Sequence, residues 1–133
     1  LALAIKITGV HTTPQYGTIH IILNGGGSVL AYGAVGYAYS SEGGTLIAAT
    51  AVSREANVTA DVEISIVTYD AFPTTTKISA FAPLVMAGAQ KAVGVLTTWI
   101  TAIPAMSLIQ AKQINANPAN AKVIDVVLVL EHI

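Results

Sequence analysis

The sequence predicts an α+β fold, mainly antiparallel β: a sandwich-like pair of sheets or a single sheet of about six to seven strands, with one long Pro-kinked helix over about residues 84–115 before a central C-terminal strand. Three observations predict it. Apolar and polar residues alternate with a period of two through much of the chain, and runs rich in Gly, Asn and Ser separate the alternating stretches. Between Pro83 and Asn115 those breaks almost vanish.

The first element is read from Leu1, Leu3, Ile5 and Ile7 on one side and Ala2, Ala4, Lys6 and Thr8 on the other, the pattern of a half-buried strand. Gly9 to Gly17, with Pro14, breaks it. Thr18 to Leu23 forms the next run and ends in Asn24-Gly25-Gly26-Gly27-Ser28, whose glycines admit the positive φ of a tight reversal, so a hairpin is expected. Val29 to Tyr39 reads as its partner if Gly33 and Gly36 mark bulges or close packing.

After the turn Ser40-Ser41-Glu42-Gly43-Gly44 comes a strand over Thr45 to Val52. A turn at Ser53 to Asn57 then opens the clearest strand, where Val58, Ala60, Val62, Ile64 and Ile66 oppose Thr59, Asp61, Glu63 and Ser65. Pro73 and its threonines make a loop, followed by a short edge strand over Lys77 to Phe81. Leu84, Ala92, Leu96, Trp99, Ile103 and Ile114 recur at roughly helical spacing, Pro83 suits a first helical turn, and Pro104 would kink the helix. Val123 to Leu130 is apolar at nearly every position and reads as a central strand covered on both faces.

Composition bounds the function. Charged residues make up 10% of the chain and hydrophobic ones 53%, against about 25% charged in an ordinary soluble domain. A single domain over residues 1–133 with so little charge leaves neutral or apolar surface outside, to be covered by another copy or by a membrane. Lys6, Arg54, Lys77, Lys91, Lys112 and Lys122 are scattered, so no basic stripe is offered to nucleic acid. The chain has no cysteine, which removes disulfides, thiolate metal sites and a thiol nucleophile together.

No catalytic, cofactor or metal site emerges. His11, His20 and His132 lack metal-site spacing, no serine sits in a Gly-x-Ser-x-Gly turn, and a triad of Ser40 or Ser41 with His11 and Asp70 has nothing to position it. The glycines at 25–27 precede a strand-like run with no cation nearby, unlike a phosphate loop. Asp61 and Glu63 share one strand face and read as its wet side. Asn57-Val58-Thr59 fits the glycosylation pattern of an exported protein. Residues 92–111 carry no charge and would just cross a bilayer, the one segment through which a membrane could be engaged, but Thr97, Thr98, Thr101, Pro104, Ser107 and Gln110 load it with polarity.

The reading that follows is a structural, non-enzymatic protomer that associates with itself into an extracellular filament, tube or viral shell, pilus-like or capsid-like. Its interface residues are Leu1, Leu3, Ile5 and Ile7, donated as a strand to the next copy, together with Tyr32, Tyr37, Tyr39 and Trp99. Removal of a signal peptide would leave a first residue other than Met, and the expected location is extracellular or on a virion surface. The competing reading is a small oligomeric α+β enzyme or ligand-binding domain with a site between subunits. A lipid-associated envelope protein is a third.

Overall fold

Alternation decides which side of each strand lies inside. In the computed structural model, which describes residues 14–68, 70, 72, 74–79 and 82–132, Val58, Ala60, Val62 and Ile64 are completely buried, while Thr59, Asp61 and Glu63 between them are half-buried. The strands are β1 (Gln15–Asn24), β2 (Val35–Ser40), β3 (Gly44–Ser53), β4 (Val58–Thr68), β5 (Thr76–Lys77), β6 (Leu84–Ala89), β7 (Lys91–Val93), β8 (Ala102–Ile103), β9 (Ser107–Gln113) and β10 (Val123–His132). A 3-10 turn at Leu96–Thr98 lies between β7 and β8.

The strands form two antiparallel sheets. The first runs β1-β10-β3-β7, with β8 also on β3; the second runs β2-β9-β4-β5, with β6 also on β4. Leaving aside the two-residue strands β5 and β8, the chain changes sheet at every step except β4 to β6, which is the connectivity of a jelly roll. The inner faces pack Ile21, Leu23, Ile124, Val126 and Leu128 of the first sheet against Val62, Ile64, Met86 and Ile109 of the second. Ala49, Ala51, Ala60 and Ala111 sit among these large side chains with essentially no exposure, and the alternation of small and large residues lets the two layers interdigitate.

The fold is therefore nearly all β, and the long helix expected over 84–115 does not exist. That stretch holds β6, β7, the 3-10 turn, β8 and β9. The physical reasons lie in its residues. Val85, Val93, Val95, Thr97, Ile100 and Ile103 are β-branched and lose side-chain freedom in a helix. Gly88 adopts φ +65° within β6, where the pairing with β4 shifts register, and Gly94 packs so tightly that a β-carbon there would stand 3.1 Å from Leu84 Cδ2 and 3.3 Å from the Ala49 carbonyl oxygen. In β9 the buried residues are Ser107, Ile109, Ala111 and Gln113, a period of two that overrides the apparent helical spacing.

Other expectations are corrected as well. Thr18–Leu23 and the run after it do not make a hairpin: β1 pairs with β10, whereas β2 lies in the other sheet on β9. The glycines do reverse the chain, Gly26 and Gly27 at φ +65° and +91°, with Asn24 Oδ1 accepting the Gly26 N–H at 2.8 Å. Residues 29–34 are the crossing between sheets, where Leu30 is buried and donates its N–H to the Ala121 carbonyl at 2.7 Å. The edge strand expected at 77–81 is β5, Thr76–Lys77. β10 lies between β1 and β3, but only Ile124, Val126, Leu128 and Leu130 are buried; Val127 and Val129 are half-buried on the outer face. The strand expected over residues 1–8 falls outside the described residues.

Candidate functional site

Because β2, β9 and β4 are neighbours, their outward side chains form transverse rows. Tyr39 pairs with Leu108, which pairs with Val67; Tyr37 pairs with Gln110, which pairs with Ser65; Val35 pairs with Lys112, which pairs with Glu63. The rows differ in polarity. At one end Glu63 Oε2 accepts from Lys77 Nζ at 2.9 Å, and Lys112 Nζ lies 5.9 Å from the centroid of the Tyr32 ring, so the charges are matched within the sheet. At the other end Tyr39, Leu108 and Val67 are uncharged and continue into Met106 and Phe72.

These residues line an apolar groove of about 570 Å³ between Tyr39, Val67, Phe72 and Met106, and beside it a second hollow of about 660 Å³ bounded by Tyr37, Phe72, Thr75 and Gln110. Phe72 comes from the β4–β5 connection and is 70% exposed, while Val67 beneath the groove is only 7% exposed. Tyr37 and Tyr39 are more than half exposed, and the Tyr37 hydroxyl accepts a hydrogen bond from Gln110 Nε2 at 3.2 Å, which fixes its ring on the sheet. Held aromatic rings with little side-chain entropy left to lose are suited to covering another apolar surface.

The other expected interface residues are distributed differently. Tyr32 is exposed on the β1–β2 crossing, at the charged end of the face. Trp99 is 7% exposed and donates its indole Nε1–H to the Ala82 carbonyl at 2.8 Å, so it fills the core and offers no surface. Leu1, Leu3, Ile5 and Ile7 lie outside the described residues. Val67 and Leu108 were missed because only strand register brings them beside the tyrosines, and Phe72 and Met106 because they come from the connections between strands.

The residues weighed for chemistry do not converge. His20 points from the outer face of β1 opposite Val127, whereas the His132 ring fits between Gly17 and Gly44 on the flanking strands, its nitrogens 3.4 and 3.0 Å from where their β-carbons would stand. Ser40 Oγ donates to the Glu42 carbonyl at 2.6 Å, and His11 lies outside the described residues. Among the described residues no group of three His, Cys, Asp or Glu side chains could hold a metal. Glu63 is engaged by Lys77, and Asp61 uses its backbone to receive the Ile114 N–H at 2.8 Å. Asn57 is exposed in the β3–β4 turn at φ +54°. Residues 92–111 form strands and a 3-10 turn, and no helix among the described residues is long and apolar enough to cross a membrane.

The outer face of the first sheet also exposes apolar side chains. Ile22, Val52 and Val93 are exposed on it, and its Asp125 accepts from Arg54 Nε and Nη2 at 3.2 Å each. Hydrogen bonding and charge attraction from Asp125 raise the Arg54 pKa further. Compared with family models, curated proteins and solved structures, the chain matches none.

Proposed function

We propose that this chain is a structural protomer whose role is to associate with copies of itself into an extracellular filament, tube or shell. The observation that carries the reading is the aromatic groove on the second sheet: Tyr37, Tyr39 and Phe72 stand exposed around an uncharged hollow, on a chain with too little charge to keep such surface wet in isolation. Jelly rolls serve in shells, lectins and small-molecule enzymes alike, so the argument rests on the surface and not on the topology. Sedimentation velocity across a dilution series, without ligand or detergent, tests it. Open-ended growth with concentration supports the reading, and a single small species at all concentrations refutes it.

A second reading draws on the same hollow. Its volume falls within the range of small-molecule sites, about 300–1,000 Å³. A ligand-binding domain with the site completed by a neighbouring subunit would form a closed, countable oligomer, which the same sedimentation series separates from a polymer.

A further inference from the structure

We propose that Asn57 is the attachment site of an N-linked glycan; this goes beyond the assembly reading above and rests only on its extracellular part. Asn57-Val58-Thr59 is the one Asn-x-Ser/Thr triplet in the chain, and its middle residue is not proline. The structure sets it apart from the other asparagines. Asn24 Oδ1 accepts the Gly26 N–H at 2.8 Å, Asn115 Oδ1 accepts the Asn117 N–H at 2.8 Å, and Asn120 Nδ2 donates to the Asn57 carbonyl at 2.9 Å. Those three carboxamides hold turns, the ordinary work of a short polar side chain. Asn117 is exposed but is followed by Pro118 and has no hydroxyl two residues on. Asn57 is exposed, and among the described residues its own carboxamide has no hydrogen-bond partner.

The triplet straddles the edge of the fold. Asn57 ends the β3–β4 turn at φ +54°, a conformation Asn tolerates better than most residues, while Val58 beside it is completely buried and Thr59 is half-buried on the outer face of β4. The amide that would carry the sugar is thus in water, and the two residues after it are anchored in the sheet. The co-reactant is an oligosaccharide carried on a polyprenyl phosphate. The bond from Asn57 Nδ2 to the first sugar carbon forms, the bond from that carbon to the phosphate oxygen breaks, the phosphate leaves with the electron pair, and the amide gives up one of its two hydrogens as a proton. A neutral, strongly hydrated group there suits a chain with only 10% charged residues. It also stands clear of the aromatic groove. From Val58 to Val67 β4 runs about 30 Å at strand rise, so the glycan starts at the opposite end of the strand from Tyr39 and Phe72.

The test is to secrete the full chain, behind a cleavable signal peptide, from a eukaryotic host that N-glycosylates, and to weigh the intact protein before and after treatment with a peptide amidase that releases N-linked glycans. A mass excess that the amidase removes, leaving Asp at position 57 in the peptide map, is the expected result. Thr59→Ala should abolish the excess and Thr59→Ser should keep it, because the triplet needs the hydroxyl and not the methyl. Asn57→Asp, which also tolerates the positive φ, should abolish it without loss of folding. Secreted wild-type protein of unmodified mass overturns the proposal, as does an excess that survives Thr59→Ala. Sedimentation of the same samples keeps the two readings apart: unmodified protein that assembles overturns the glycan alone, whereas glycosylated and amidase-treated protein that both stay small overturn the assembly reading and spare the glycan.

Discussion

The carbonyl oxygen of Ile22 on β1 faces the α-carbon of Gly36 on β2 so closely that any β-carbon there would sit 2.5 Å from it and 3.0 Å from Ile21 Cγ2. This contact, between strands of different sheets, closes one end of the sandwich edge and leaves the other end open. Gly36→Ala should therefore force the sheets apart at a backbone atom that cannot swing aside. We expect a loss of about 1–3 kcal/mol and a fall in Tm of roughly 4–10 °C by thermal denaturation. An unchanged Tm would show that the edges are not in contact.

Gln113 is completely buried at the end of β9. Its Nε2 donates to the Leu30 carbonyl at 3.2 Å and the Asn115 carbonyl at 3.0 Å, while its Oε1 accepts the Asp61 N–H at 3.3 Å and the Asn115 N–H. Gln113→Ala strands several backbone groups without partners, and about 3 kcal/mol of stability should be lost in urea unfolding. A loss below about 0.5 kcal/mol would mean that water replaces the amide without cost.

Glu55 holds the start of β10 by accepting the N–H of Lys122 at 2.8 Å and of Val123 at 3.1 Å. These bonds, Lys122 foremost, keep its carboxyl below the ordinary glutamate range, aided by Ser53. A carboxyl whose pKa is lower folded than unfolded adds stability above its unfolded value, about 4.3, and loses it as the pH falls through the folded value. Stability should thus decline on acidification from about pH 5 downward. Glu55→Gln should flatten that part of the profile, measured as urea midpoint against pH, and an unchanged slope would remove Glu55 from the account.

Trp99 tests how far a side chain can be assigned from sequence. Named among the interface residues from the sequence, it instead closes the core, its indole anchored on Ala82. Trp99→Phe should cost about 1 kcal/mol from the lost hydrogen bond, and leave the assembly unchanged in sedimentation. A weakened assembly with unaltered stability would restore the surface role.

What the sequence revealed follows from period and polarity. β4 is legible because alternation and flanking turns agree from Val58 to Ile66, and β10 because its run of branched aliphatic residues marks a strand, although its outer face is only half-buried. Residues 84–115 misled because Leu84, Ala92, Leu96, Trp99, Ile103 and Ile114 recur there at roughly helical spacing, whereas the deciding facts, the φ of Gly88 and the approach of Gly94 to Ala49, depend on the neighbouring strands. Tyr37 and Tyr39 were visible as two steps along one strand. Phe72 and Val67 join them only through a loop and a strand register that no local pattern encodes.

The aromatic groove can be disabled without touching the core. Tyr37→Ser, Tyr39→Ser and Phe72→Ser remove exposed rings only, so stability should stay within about 1 kcal/mol of the parent. Assembly should require about tenfold more protein or worse, since buried aromatic anchors dominate interface energetics. Assembly at the parent concentration would exclude this face.

Negative-stain electron microscopy of the purified wild-type chain, imaged across dilution without ligand or detergent, tests self-assembly most directly. Filaments, tubes or shells that shorten or dissociate on dilution are the expected result. Uniform small particles at every concentration would contradict it, and the clefts between their subunits would become the place to seek a ligand.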